Sequence, residues 1–323
     1  MASSTDETPG ATPGSTERDD ADRSTGRRVL AAFLWRPGVL VLVTLGLIAT
    51  VVGPRLVERL PDLSDRAEYQ LTRRSVDVTT ARPAWVPEDY LAAVLGSDQW
   101  PAEGTSILDR GVASRVAAAF EEQPWVDEVQ RVECQVPSRV VVDLVFRRPV
   151  SWVETNGDRV AVSRLGIRLP GRDIDGDLAD KLPVVTGVNS TAPENDGDIW
   201  EDVRVTAAAR LASDLGTHWE PFELKTIHVF LQGQTGNEAD QVFLELTTLG
   251  GSRIVWGRAP GADHPGELTP RQKIGRLVQF ISHFKSLDTP DGPLEINIRH
   301  WREIIYKPLG DKSAQGRVLR VLR

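Results

Sequence analysis

At 323 residues the chain is long enough for roughly two folded domains plus tails, on the usual ~100–200 residues per domain. A formal net charge of −8 with a pI near 5.3 argues against nucleic-acid binding, which needs a concentrated basic surface. The one cysteine, Cys134, excludes an internal disulfide framework and a cysteine-built metal site; it stands in an alternating strand pattern and reads as a small buried hydrophobe.

Residues 1–29 are rich in Ser, Thr, Pro, Gly, Asp and Arg with few large apolar side chains. They cannot bury enough surface to offset ordering entropy and read as a disordered cytoplasmic tail. Residues 38–53 carry Val39, Leu40, Val41, Leu42, Val43, Leu45, Leu47, Ile48, Val51 and Val52 and no charge. Extended on the N-terminal side, this run predicts a single transmembrane anchor over 30–53, near the ~20 residues a bilayer core demands. A cleaved signal peptide fits less well, because no small-x-small site precedes Pro54. Arg23, Arg27 and Arg28 precede the span and Arg36 stands near its N-terminal boundary, where it can snorkel to the headgroups, whereas Arg55, Arg59 and Arg66 follow it among Glu58, Asp62 and Asp65. The bias is mild and favours a cytoplasmic N-terminus, with the bulk of the chain extracytoplasmic. Residues 54–68 read as a linker.

The first folded unit is expected over 69–153. A strand within 69–79 holds Val76 and Val78. A short helix starts at Pro87, carries Leu91, Val94 and Leu95 on one face and stops at Gly96. A second helix takes Asp109 as N-cap, places Val112, Val116, Ala119 and Phe120 on one face, and ends before Pro124. Val132, Cys134 and Val136 alternate in one strand, Pro137-Ser138 makes a turn, and Val140, Val142, Leu144 and Phe146 alternate in the next. The order is β-α-α-β-β, with two helices covering one face of a small sheet.

The second unit is expected over 154–309 and is α+β, mainly antiparallel, with flanking helices. Arg159-Val160-Ala161-Val162 and Ile167-Arg168-Leu169 form a hairpin, followed by Leu182-Pro183-Val184-Val185-Thr186-Gly187. A helix over 202–215 stops at Gly216, and strands follow at 222–230, 241–248 and 253–257. Thr269-Pro270-Arg271-Gln272 supplies an N-cap, an N1 proline and a capping-box glutamine for a helix with Ile274, Leu277, Val278 and Ile281 on one face. Leu294, Ile296 and Ile298 alternate in a penultimate strand, and residues 303–307 make the last one. Residues 310–323 read as a disordered tail.

Chemistry-bearing patterns are sparse. Asp173-Ile174-Asp175-Gly176-Asp177 suggests a calcium loop, but its glycine is displaced from the EF-hand position and Val184 stands where the bidentate glutamate belongs. His218, His228, His264, His283 and His300 are dispersed, and no phosphate loop, nucleophile elbow or dinucleotide fingerprint occurs. The expectation is a protein with no catalytic activity, no cofactor, no metal, no small-molecule substrate and no nucleic-acid partner.

The run Phe120-Glu121-Glu122-Gln123-Pro124-Trp125-Val126, then Val129 and Val132, Pro137 and Arg139, and Arg147-Arg148-Pro149-Val150, resembles the POTRA domain of the FtsQ/DivIB family of bacterial cell-division proteins. Ile254-Val255-Trp256-Gly257-Arg258, then Lys273 and Leu277, then Glu295-Ile296-Asn297-Ile298-Arg299 is similar to that family's β domain, although Ser163-Arg164 stands where an acidic residue often precedes the turn glycine. The resemblance covers residues 75–308. It implies a single-pass inner-membrane scaffold at the division septum that contacts other division proteins and helps regulate septal peptidoglycan synthesis. It further implies that the last strand offers an edge to coiled-coil partners like FtsB and FtsL, which implicates Trp301, Ile304, Ile305, Tyr306, Lys307 and Pro308. Tyr306 and Trp301 then act as aromatic anchors, and replacing Tyr306 is expected to weaken capture without unfolding the domain; the alternative is that Ile304 and Tyr306 face the core. Two further readings are a POTRA-bearing factor for envelope biogenesis or protein translocation, and an extracytoplasmic hydrolase with an unrecognised site.

Overall fold

The computed structural model describes residues 37–57, 63–232, 241–261, 264–310 and 315–320. The chain divides into two units, Met1–Leu63 and Ser64–Arg323. The tail expected over 1–29 and the first part of the expected span, 30–36, lie outside the described residues. Helix α1, Pro37–Val57, runs for 21 residues. Its described apolar stretch, residues 41–52, is exposed throughout. Among the described residues no helix is long and apolar enough to cross a membrane.

The second unit opens with β1 (Val76–Val78), α2 (Tyr90–Leu95), α3 (Val112–Glu121), β2 (Val126–Gln135) and β3 (Arg139–Phe146). This is the expected β-α-α-β-β order. The sheet runs β1-β3-β2, with β1 parallel and β2 antiparallel to the central β3. Val116, Ala119 and Phe120 of α3 are buried with Val140, Val142 and Leu144 of β3 in one core, as their 3.6 and 2.0 periodicities dictate. Three details differ from expectation. The first strand is confined to Val76–Val78 because Ala67–Tyr69 and Arg73–Ser75 are tight 3₁₀ turns. Gly111, at φ +93°, and not Asp109, precedes α3; only glycine takes that left-handed turn without strain. Cys134 is exposed, because β2 is an edge strand while its partner Val140 lies on the central strand.

The boundary between the two sheets falls earlier than residue 153. Strand β4, Pro149–Thr155, belongs to the larger sheet. The intervening Arg147 is a clamp. Its Nη1 donates to the Pro124 carbonyl at 2.7 Å, its Nε meets Asp127 Oδ1 at 3.2 Å, and its own carbonyl accepts from Trp85 Nε1 at 3.1 Å. Arg148 lies 5.6 Å from the Trp85 ring centroid.

From β4 the chain continues through β5 (Asp158–Ser163), β6 (Arg168–Leu169), α4 (Gly176–Ala179), β7 (Val184–Thr186), α5 (Val203–Leu215), β8 (Leu224–Leu231), β9 (Val242–Thr248) and β10 (Arg253–Arg258). It ends with α6 (Pro270–Phe284), β11 (Leu294–Asn297), β12 (Glu303–Pro308) and β13 (Arg317–Arg320). The ten strands order as β13-β12-β11-β10-β9-β8-β7-β4-β5-β6. Pairing is mostly antiparallel, with parallel contacts at β10–β11, β4–β7 and β7–β8. The protein is therefore α+β with a large, mostly antiparallel sheet. Asp202 caps α5 by accepting from Arg204 N at 2.8 Å, and α6 has the full Thr269–Gln272 capping box with Pro270 in its first turn. Gly187, at φ +93°, leaves no room for a Cβ against the Val229 carbonyl.

Helix α6 is fixed to β10 through a buried charge. Lys273 is 1% exposed, its Nζ lies 2.5 Å from Glu267 Oε1 and 5.1 Å from the Trp256 ring centroid, and it also reaches the Arg258 carbonyl at 3.4 Å. Burial pushes the ammonium below its ordinary value, and Glu267 only partly opposes this. Removing one partner of such a pair leaves an uncompensated charge, a loss of about 3–5 kcal/mol. Glu267→Gln should therefore cost more stability in urea unfolding than Lys273→Met; equal losses would contradict the pairing. The folded protein binds fewer protons at Lys273 than the unfolded chain between the lowered value and 10.5. Wild-type stability should thus rise with pH across that window relative to Lys273→Met.

Candidate partner-binding edge

The last turns of α6 carry Phe280 and Phe284 above the end of the sheet. Strand β12 alternates beneath them with period two: Ile304 and Tyr306 are buried, whereas Glu303, Ile305 and Lys307 are half-buried on the other face. The Tyr306 ring meets Phe280 edge-on at 5.5 Å and Phe284 at 5.1 Å between centroids. On the opposite face a row of charges crosses four strands. Glu245 of β9 lies 3.8 Å from Arg253 of β10, Arg253 is paired with Glu295 of β11, and Glu295 lies 3.4 Å from Lys307 Nζ on β12. Burial pushes the Glu295 carboxyl up, but the hydrogen bond and charge of Arg253, with Lys307, outweigh it and hold the group below its ordinary value. Opposite charges on adjacent strands stabilise pairing and register.

Trp301 is 58% exposed, with Nε1 donating to the Gly266 carbonyl at 2.6 Å. Pro308 pairs with Leu294 at the other end of the strand. Among the implicated residues, then, Ile304 and Tyr306 face the core, Lys307 completes the charge row, and Trp301 and Ile305 present apolar surface. Tyr306 is a packing residue, so its replacement is not a clean probe of capture.

Strand β12 is not the sheet edge. Arg317–Arg320, within the segment expected to be a disordered tail, forms β13 and pairs antiparallel in the register Glu303↔Arg320, Ile304↔Leu319, Ile305↔Val318 and Tyr306↔Arg317. Leu319 packs against the main core, Arg317 Nη1 lies 2.5 Å from Asp291 Oδ2, and Gln279 Nε2 donates to the Arg320 carbonyl at 3.3 Å. Val318 is 51% exposed. The signal missed in the sequence is weak: Val318-Leu319 flanked by arginines, just after Gly316. Residues 311–314 and 321–323 lie outside the described residues.

No protein-family model matches the chain, and no curated protein matches it significantly. Among the described residues no group of three or more His, Cys, Asp or Glu side chains is arranged to hold a metal ion. What this end of the sheet does chemically is pair the outer backbone of β12 with a short antiparallel segment, β13, since backbone donors and acceptors along a strand's outer side accept another strand.

Tyr306→Ala should cost about 3 kcal/mol or more in chemical denaturation, as truncating other buried aromatics does, whereas Lys307→Ala should cost no more than about 1 kcal/mol. A Tyr306→Ala protein as stable as wild type would contradict the core assignment.

Proposed function

We propose that the chain is a bitopic scaffold of the FtsQ/DivIB kind, anchored in the inner membrane with its N-terminus cytoplasmic. Its extracytoplasmic unit then holds coiled-coil partners like FtsB and FtsL, with other division membrane proteins, at the septum and helps regulate septal peptidoglycan synthesis. The observation that carries the reading is the end of the large sheet, where β12 accepts an antiparallel strand along its outer edge. Strand addition is a general way for a sheet to capture an extended segment: backbone hydrogen bonds supply affinity and alternate side chains supply specificity. Trp301, Ile305, Lys307 and Pro308 are the side chains and Ile304 and Tyr306 the supporting core of such a site.

Two further observations support the reading. The β-α-α-β-β order of the first sheet is that of a POTRA domain. In α1, exposed Val41, Leu42, Val43, Leu45, Leu47 and Ile48 are interleaved with hydroxyls that bond back into the helix, Thr44 to the Val41 carbonyl at 3.1 Å and Thr50 to the Leu47 carbonyl at 2.9 Å. That pattern suits a hydrocarbon environment, where polar groups must be satisfied internally.

A fluorescent fusion of the full chain should gather at the division site and co-purify with membrane coiled-coil proteins. Uniform envelope fluorescence throughout the cell cycle, or purification without such partners, would contradict the proposal.

A further inference from the structure

We infer that β13 is an intrinsic stand-in for a partner's strand, occupying the outer edge of β12 until an extended segment of matching pattern displaces it. This rests on the reading of β12 as a partner-binding edge and adds its regulation and the chemistry of its ligand.

The seat of β13 is slight. It spans four residues, of which Arg317, Val318 and Arg320 are exposed and only Leu319 is half-buried. Beyond its backbone pairing with β12 and the packing of Leu319, its tethers among the described residues are an ion pair whose members are each about half exposed, Arg317 at 51% and Asp291 at 50%, and a hydrogen bond from Gln279 to the Arg320 carbonyl. An exposed ion pair of this kind contributes little. Tyr306, by contrast, is held by Phe280 and Phe284 of α6. Lifting β13 therefore uncovers the β12 backbone without removing the aromatic packing beneath it. Elements with little buried apolar surface open at the low end of the local stability scale.

The contacts of β13 also describe its replacement. A competing segment runs antiparallel to β12, places an apolar side chain opposite Ile304 where Leu319 sits, and places a cation opposite Tyr306 where Arg317 meets Asp291. The segment needs a small residue before the cation, because a Cβ at Gly316 would stand 2.8 Å from the Ile305 side chain. The ligand class is an extended peptide reading small-basic-x-apolar.

The test uses the full chain with Glu303→Cys and Arg320→Cys, which are paired across β12 and β13, in a Cys134→Ser background. A fluorescent synthetic peptide of residues 315–323 is the probe, and a Leu319→Asp chain serves as a released form. Peptide binding should be at least tenfold tighter to the reduced protein, and tighter again to Leu319→Asp, than to the oxidised one. Equal binding by the oxidised and reduced forms, including none by either, overturns the inference. In parallel, capture of membrane coiled-coil proteins should fall on oxidation and return on reduction; capture of such proteins to the same measurable extent by both forms also overturns it. If the peptide discriminates but no form captures such proteins, the displaceable strand stands and the division-partner reading fails.

Discussion

The Lys273 ammonium, buried against Trp256 and paired with Glu267, sets the geometry at the β12 end of the large sheet. A lone buried cation is too costly to tolerate, so the helix, strand β10 and the loop bearing Glu267 must keep one arrangement. Gly257 belongs to the same constraint: at φ +92° it brings the strand close to Arg299, where a Cβ would lie 2.7 Å from the arginine side chain. Arg276, one turn along α6, donates to the Ile298 carbonyl at 2.6 Å and ties the helix to the end of β11. With α6 fixed in this way, Phe280 and Phe284 meet Tyr306, and the inward face of β12 is determined.

Period two then decides the opposite face. Because Ile304 and Tyr306 are spent on packing, Ile305 and Lys307 must point outward, where Lys307 joins the row of charges through Glu295 and Arg253. A one-residue slip would move every one of these side chains to the wrong layer. The register of β12 is thus specified from both faces, while among the described residues its outer backbone edge is covered by the short β13. A rigid strand beneath a weakly held cover is the arrangement that strand exchange requires.

Much of this was readable in the residues themselves. The Thr269-Pro270-Gln272 start of α6, the Gly216 stop of α5, the hairpin of residues 159–169 and the alternation of β12 are local signals, and they correspond to α6, α5, β5–β6 and β12 as observed. Lys273, Trp256 and Gly257, quoted only as parts of a familiar pattern, prove to be neighbours. The features that escaped depend on long-range placement. Cys134 alternates correctly but lies on an edge strand, Arg147 finds its partners near residue 125, and β4 leaves the first sheet for the second after residue 148. Strand β13 has too few apolar residues to announce itself and exists because β12 offers it an edge.

Hydrogen exchange on the full chain, with and without its co-purified partner, tests the strand-accepting edge most directly. The account predicts that, on binding, the amides of Arg317–Arg320 lose protection while those of Glu303–Lys307 keep or gain it. Partner binding that leaves Arg317–Arg320 protected, with new protection confined to other surfaces, would contradict it.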